Sequence, residues 1–205
     1  MSVKCKYLTS DKLNLNNVNF KTFMCDDMSI IKNSEKTYSE NNDINKDHPC
    51  FGYVNIHYLN NPILYITTPP MKCLFGVKKN SNNFQMNLQF TDLEENNKIK
   101  DFYDFVQNIE FMCMKYLDLD ENNLDKFVSQ IQHDKNNRYE PNLLVKIPFH
   151  YNQFLTDLYS DNSSVLNIFT IKNFQLMECD LYIDKLWKMN DKFYLKWKCK
   201  IIHLL

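Results

Sequence analysis

Between Phe84 and Leu117 the apolar residues change their period once, and that change limits the folds open to the chain. The stretch "FQMNLQF" alternates strictly, with Phe84, Met86, Leu88 and Phe90 on one side and Gln85, Asn87 and Gln89 on the other. This is the pattern of a half-buried strand. From Ile99 the apolar positions instead recur at three and four: Ile99, Phe102, Phe105, Val106, Ile109, Met112, Cys113, Tyr116 and Leu117. That spacing predicts one long amphipathic helix. Strand-like segments lie on both sides of it. Before it come "VNFKTFMC", then "GYVNIHYL" and "PILYITT", which a hairpin turn at Asn60-Asn61 would join. After it come "LLVKIPF", "SVLNIFTI", "CDLYIDKLWKM" and "KFYLKWKCKII". The segment "NNLDKFVSQIQ" either continues the helix or forms a second short one. Residues 33–48 are polar throughout and read as a mobile loop. Strands and helices do not alternate, so a doubly wound sheet is not expected. The expectation is a mainly β (α+β) single domain over residues 1–205, a small barrel or sandwich with one inserted helix.

Composition matters where it narrows the chemistry. The chain has no alanine, one arginine (Arg138), two glycines (Gly52 and Gly76) and 28 asparagines. The simplest cause is a genome rich in A and T, as in a virus, a parasite or a symbiont. One consequence is that phosphate contacts fall to lysine point charges rather than guanidinium forks. Another is that turns needing positive φ must lean on asparagine. The net charge of −1 means that any basic site must arise by local segregation. Seven scattered cysteines, none in CxxC spacing, signal neither zinc nor a redox motif and point to a reducing, intracellular setting. The first residues carry no apolar signal region and no stretch reaches the length of a membrane span, so the expectation is a protein that is not secreted. The sequon Asn162-Ser163-Ser164 would then stay idle.

The densest functional signal is "LWKMNDKFYLKWKCKI", residues 186–201, with two tryptophans and five lysines. Asn190-Asp191 marks a two-residue turn. It would pair Met189 with Lys192, Trp187 with Tyr194, Lys185 with Lys196 and Ile183 with Lys198. One face would then carry Lys185, Trp187, Tyr194, Lys196, Lys198 and Lys200. The other would carry Leu186, Phe193, Leu195, Trp197, Cys199 and Ile201. From Lys185 to Leu205 there are six lysines and one acid, Asp191. Rings interleaved with ammonium groups suit single-stranded nucleic acid, bases stacking and lysines tracking phosphates. Lysines on an exposed ribbon also serve solubility and guard strand edges. A three-residue turn would send Trp187 inward.

At these residues the chain resembles the single-stranded DNA-binding proteins of nucleocytoplasmic large DNA viruses, the family that includes the African swine fever virus protein. Leu186, Trp187, Lys192, Phe193, Trp197 and Lys198 match its C-terminal block in order. "YITTPPMKCLFGV" (Tyr65 to Val77) and "YEPNLLVKIP" (Tyr139 to Pro148) are similar to two further blocks, so the resemblance spans residues 52–203. Asn190-Asp191 stands where the family has glycines, Tyr194 replaces a glycine, and Glu140 replaces a proline. The resemblance implies an OB-like β-barrel that binds single-stranded DNA without sequence specificity. Its work would be in replication, recombination or repair, in the host cytoplasm or nucleus. It needs no cofactor and no metal, and self-association or replication proteins would be its protein partners. Trp187 and Tyr194 would stack on bases, with Phe193 as a third platform or a core anchor. Lys185, Lys188, Lys196, Lys198 and Lys200 would pair with phosphates. Lys72 and Tyr139, with Tyr65, Phe75 and Lys146, are candidates for a second wall of the groove.

Other chemistries find little support. "DLDENNLDKFVS" imitates a calcium loop, but Asn123 stands where glycine is needed and Ser129 where a bidentate glutamate is needed. The five histidines are dispersed, and two isolated glycines cannot build a phosphate-binding loop. A nuclease would need a carboxylate constellation and would show magnesium-dependent cleavage. A protein-interaction or structural module on the same fold, with DNA binding lost, is the main rival. It predicts that Trp187→Ala unfolds the chain instead of leaving a folded non-binder.

Overall fold

The structure is a computed structural model that describes residues 8–26, 51–81, 83–160 and 167–205. The 33–48 segment lies outside the described residues. In chain order the strands are β1 (Val18–Asp26), β2 (Phe51–Tyr58), β3 (Leu64–Thr67), β4 (Met71–Cys73), β5 (Lys78–Asn80) and β6 (Asn83–Gln89). Helix α1 (Asn97–Tyr116) follows. Then come β7 (Phe127–Val128), β8 (Ile131–Gln132), β9 (Asn142–Ile147), β10 (Phe149–His150), β11 (Gln153–Phe154) and β12 (Asp157–Tyr159). The chain ends with β13 (Gln175–Ile183), β14 (Lys185–Met189), β15 (Lys192–Leu195) and β16 (Trp197–Leu204).

Five of these strands close a barrel. β4 pairs with β6, β6 with β9, β16 with β13 and β13 with β4, all antiparallel. The ring is shut by a parallel contact between β9 and β16, where Trp197 meets Val145 and Lys198 meets Lys146. This is an OB-like β-barrel with one long helix inserted between its second and third strands. The alternating residues of β6 do what their period requires. Phe84, Met86 and Leu88 enter the core while Gln85, Asn87 and Gln89 look out.

Helix α1 is started by Asn96, whose side-chain oxygen accepts hydrogen bonds from the backbone N–H groups of Lys98 and Ile99. It ends where Asp118 takes a left-handed φ of 52°. Ile99, Phe102, Phe105, Val106 and Ile109 are buried along its inner face. Phe102 meets Phe90, and Phe105 meets Trp197 at 6.4 Å between ring centroids. Each such side chain contributes about 1.5–3 kcal/mol. Glu110 is buried too, accepting from the Ser129 hydroxyl at 2.6 Å and the Gln130 N–H at 2.8 Å. It thereby ties the helix to the segment between β7 and β8.

A second sheet runs β1-β2-β14-β15-β7. Its β14–β15 hairpin is an excursion from the connection between barrel strands β13 and β16, so the chain leaves the barrel at Asp184 and returns at Lys196. Gly52 on β2 lies so close to Phe23 that a Cβ there would overlap the ring.

Four sequence expectations are corrected. A tight turn does form, but at Leu59-Asn60 rather than Asn60-Asn61, with Tyr58 and Asn61 bonded to each other, and β2 and β3 then enter different sheets instead of pairing. "NNLDKFVSQIQ" is neither helix nor its continuation. It holds one 3-10 turn (Leu124–Lys126) and the short strands β7 and β8, recruited by β15 and β9. In "SVLNIFTI" the described part is a 3-10 turn at Ile168–Thr170 capped by the Asn167 side chain, not a strand. The ribbon predicted from Ile183 to Ile201 is not continuous: it breaks at Asp184 and Lys196, and Lys198 pairs with Tyr182 rather than Ile183.

Candidate nucleic-acid interface

The Asn190-Asp191 turn is tight, as its residues require. Both take left-handed backbones, with φ of 49° and 58°, the geometry of a type I′ turn made without glycine. That fixes the register of the hairpin. Met189 pairs with Lys192, Trp187 with Tyr194, and Leu186 with Leu195. Leu186 and Leu195 are buried on the inner face.

The outer face gains more from neighbouring strands than the hairpin alone offers. Met24 pairs with Tyr53, Tyr53 with Trp187, Trp187 with Tyr194, and Tyr194 with Val128. These five residues form one row across the sheet, perpendicular to its strands. Adjacent strands lie about 4.8 Å apart, so the row is about 19 Å long. Tyr53 and Trp187 are in ring contact at 5.5 Å. The Lys185 ammonium sits over Tyr53 at 3.7 Å and over Trp187 at 5.1 Å. Lys196 approaches Trp187 at 5.9 Å and Tyr194 at 5.7 Å. Ammonium groups on ring faces are attracted by the ring quadrupole, and here they leave Trp187 and Tyr194 only half-buried.

Lys196 links this row to a second one on the barrel. Register partners there run Lys78–Gln85–Lys146–Lys198–Tyr182–Tyr65 around the outside. Lys198 lies over Tyr182 at 5.6 Å, and Tyr182 faces Tyr65 at 5.8 Å. Burial and the neighbouring lysine charge hold Lys146 and Lys196 below the usual lysine pKa. Asp184 is the carboxylate in their midst. Its two oxygens accept from the Lys198 ammonium at 2.7 and 2.8 Å.

The site residues expected from sequence therefore divide. Trp187, Tyr194, Lys185, Lys196 and Lys198 come together. Lys188 does not: its register places it with Phe193 on the other face, where it meets Asp191 at 3.7 Å. Phe193 is packed against the core edge and pairs with Phe127, an anchor instead of a platform. Lys200 is exposed at a bulge opposite Asp180 and Leu181, outside the ring cluster. The same bulge reverses parity beyond it, so Ile202 is buried in place of Ile201. Lys72 is exposed on β4, in register with Gln89, about 13 Å along β6 from Gln85. Tyr139 is exposed on the approach to β9, with Arg138 at 5.9 Å as its ring contact. Tyr65 and Lys146 do join the site.

Tyr53, Tyr182 and Asp184 join the site without a signal in the local sequence. Alternation in "GYVNIHYL" offers Tyr53 to one face, but only the pairing of β2 with β14 puts it beside Trp187. Asp184 stands one residue before Lys185, where the lysine-rich stretch begins. With Asp191 and the distant Asp125, which meets Lys192 at 2.9 Å, it offsets half of the lysines' charge.

No protein-family model matches the chain, and no curated protein is significantly similar to it. The sequence resemblance rests on its three blocks alone.

Proposed function

We propose that this chain is a non-enzymatic single-stranded DNA-binding protein without sequence preference. The observation that carries this is the Tyr53–Trp187–Tyr194 row laid beside Lys185, Lys196, Lys198 and Lys146. Rings across three adjacent strands offer π-faces to unpaired bases, with Lys185 and Lys196 against them and Lys146 and Lys198 next to Lys196 to meet phosphates. A duplex keeps its bases stacked and offers such rings nothing. The OB-like barrel supports the reading, because this architecture presents oligonucleotide-binding surfaces on its second and third strands and on the loop between its fourth and fifth. Here those are β6, β9 and the β14–β15 excursion. The resemblance to viral single-stranded DNA-binding proteins adds replication, recombination or repair as the setting.

The test is fluorescence anisotropy with an oligo-dT strand across a salt series. Engagement of Lys146, Lys185, Lys196 and Lys198 gives a slope of log affinity on log salt of about −2.8, at about −0.7 per phosphate. Charge reversal of Lys196 and Lys198 flattens the slope and weakens binding. An affinity indifferent to salt, or equal for duplex, sinks the proposal. The rival is a protein-interaction module, favoured by the lysines that already cover Trp187. It gives no oligo-dT binding at any salt concentration.

A further inference from the structure

We propose that the tip of the β10–β11 hairpin is a second base-stacking station, with Tyr151 supplying the ring. This rests on the single-stranded reading of the barrel face and extends it to residues that neither the hairpin nor the sequence blocks contain.

Tyr151 is 90% exposed, and its ring lies flat on His150, with centroids 4.5 Å apart and planes 12° from parallel. Nothing in core packing calls for a tyrosine here. The turn is of the same kind as the one at Asn190-Asp191, with φ of 47° at Tyr151 and 60° at Asn152. The two turns differ in their residues. One uses Asn-Asp, residues at ease in the left-handed region; the other places a bulky ring there, where the backbone resists it. The base of the hairpin is anchored in an aromatic cluster. Phe149 and Phe154 pack on each other and on Phe84, with Phe169 closing the cluster. A flat, exposed ring is thus held at a fixed height.

Its position suits a strand that has already crossed the lysines. β9 and β16 run parallel, and the hairpin bearing Trp187 and Tyr194 enters upstream of their contact. β10 leaves downstream, after Pro148. β10 and β11 form a separate two-stranded sheet just beyond Pro148, and Tyr151 is five residues from Lys146, so the two are at most about 18 Å apart. Along the shared direction of β9 and β16 the order is rings, lysines, ring.

The experiment compares wild type, Tyr151→Asn and Tyr151→Phe in the anisotropy assay, with oligo-dT of about 4 and about 16 nucleotides, the span of OB-fold site sizes. Thermal melting checks the fold; Tyr151→Asn recreates a relaxed turn and melts no lower. The expected result is unchanged affinity for the short strand and a loss of about 5- to 100-fold for the long one with Asn. Phe retains wild-type affinity. An oligonucleotide carrying 5-iodouracil should crosslink to Tyr151. If Tyr151→Asn leaves the long strand unaffected while charge reversal at Lys146 and Lys198 weakens both lengths, the station is refuted and the single-stranded reading stands. If wild type binds neither length, both fall together.

Discussion

Trp187 and Trp197 are ten residues apart in the chain and lie on either side of one bend, at Lys196. Trp197 is fully buried, packed against Phe105 of α1, with an indole N–H that meets no acceptor among the described residues. Trp187 is half-exposed, with ammonium groups on its ring and a tyrosine on either side. Neither residue type nor local composition separates them, since lysines flank both in the chain. The bend does, by handing one to the closed barrel and the other to the open sheet. What a tryptophan contributes here is decided by which sheet its strand has entered.

Five substitutions at four positions test that contrast. Trp197→Ala should cost about 3–5 kcal/mol of unfolding free energy in urea titration, since it empties the largest buried volume at the barrel seam. Trp187→Ala should leave the midpoint nearly unchanged and weaken oligo-dT binding by about 1–3 kcal/mol. If Trp187→Ala instead unfolds the protein, the two tryptophans are both structural and the contrast is gone. Within the buried region, Glu110→Ala should cost about 1–3 kcal/mol by stranding the Gln130 N–H and the Ser129 hydroxyl. Burial raises the Glu110 pKa in the native state, so the native protein holds this proton more tightly than the unfolded chain does. Its stabilising contribution is complete below the unfolded value, about 4.3, and is lost as pH rises through the raised native value. Glu110→Gln should flatten that part of a stability-versus-pH curve. The smallest effect is expected on the open sheet. Asp184→Asn removes the carboxylate that competes with phosphate for Lys198 and should tighten oligo-dT binding, while changing stability by about 1 kcal/mol or less. Weaker binding would show that Asp184 positions Lys198 rather than competing with phosphate.

The parts of this molecule legible in its sequence are those written in local periods. The strand at Phe84–Phe90, the helix from Ile99, and the turn at Asn190-Asp191 with its register all follow from spacing and turn chemistry over a few residues. What could not be read depends on partners distant in the chain. Tyr53 joins Trp187 because β2 pairs with β14, across more than a hundred residues. Lys192 loses its freedom to Asp125, which no window around the hairpin contains. "FVSQIQ" carries enough apolar spacing for a helix, yet β15 and β9 draw its ends into sheets. Parity worked as far as Cys199 and failed at Ile201, because one bulge residue inverts every side chain after it.

The parallel seam between β9 and β16 is held by only two residue pairs, yet it alone turns a curved sheet into a ring. Those pairs join positions that lie fifty-two residues apart in the chain, whereas the β14–β15 hairpin joins near neighbours. Local hairpins form in about 1–10 μs, while distant pairings wait on loop closure. The Trp187–Tyr194 pair should therefore be in place early in refolding and Trp197 should be sealed late. As the chain's only two tryptophans, they give a fluorescence-detected refolding trace two separable phases, one from each side of the bend.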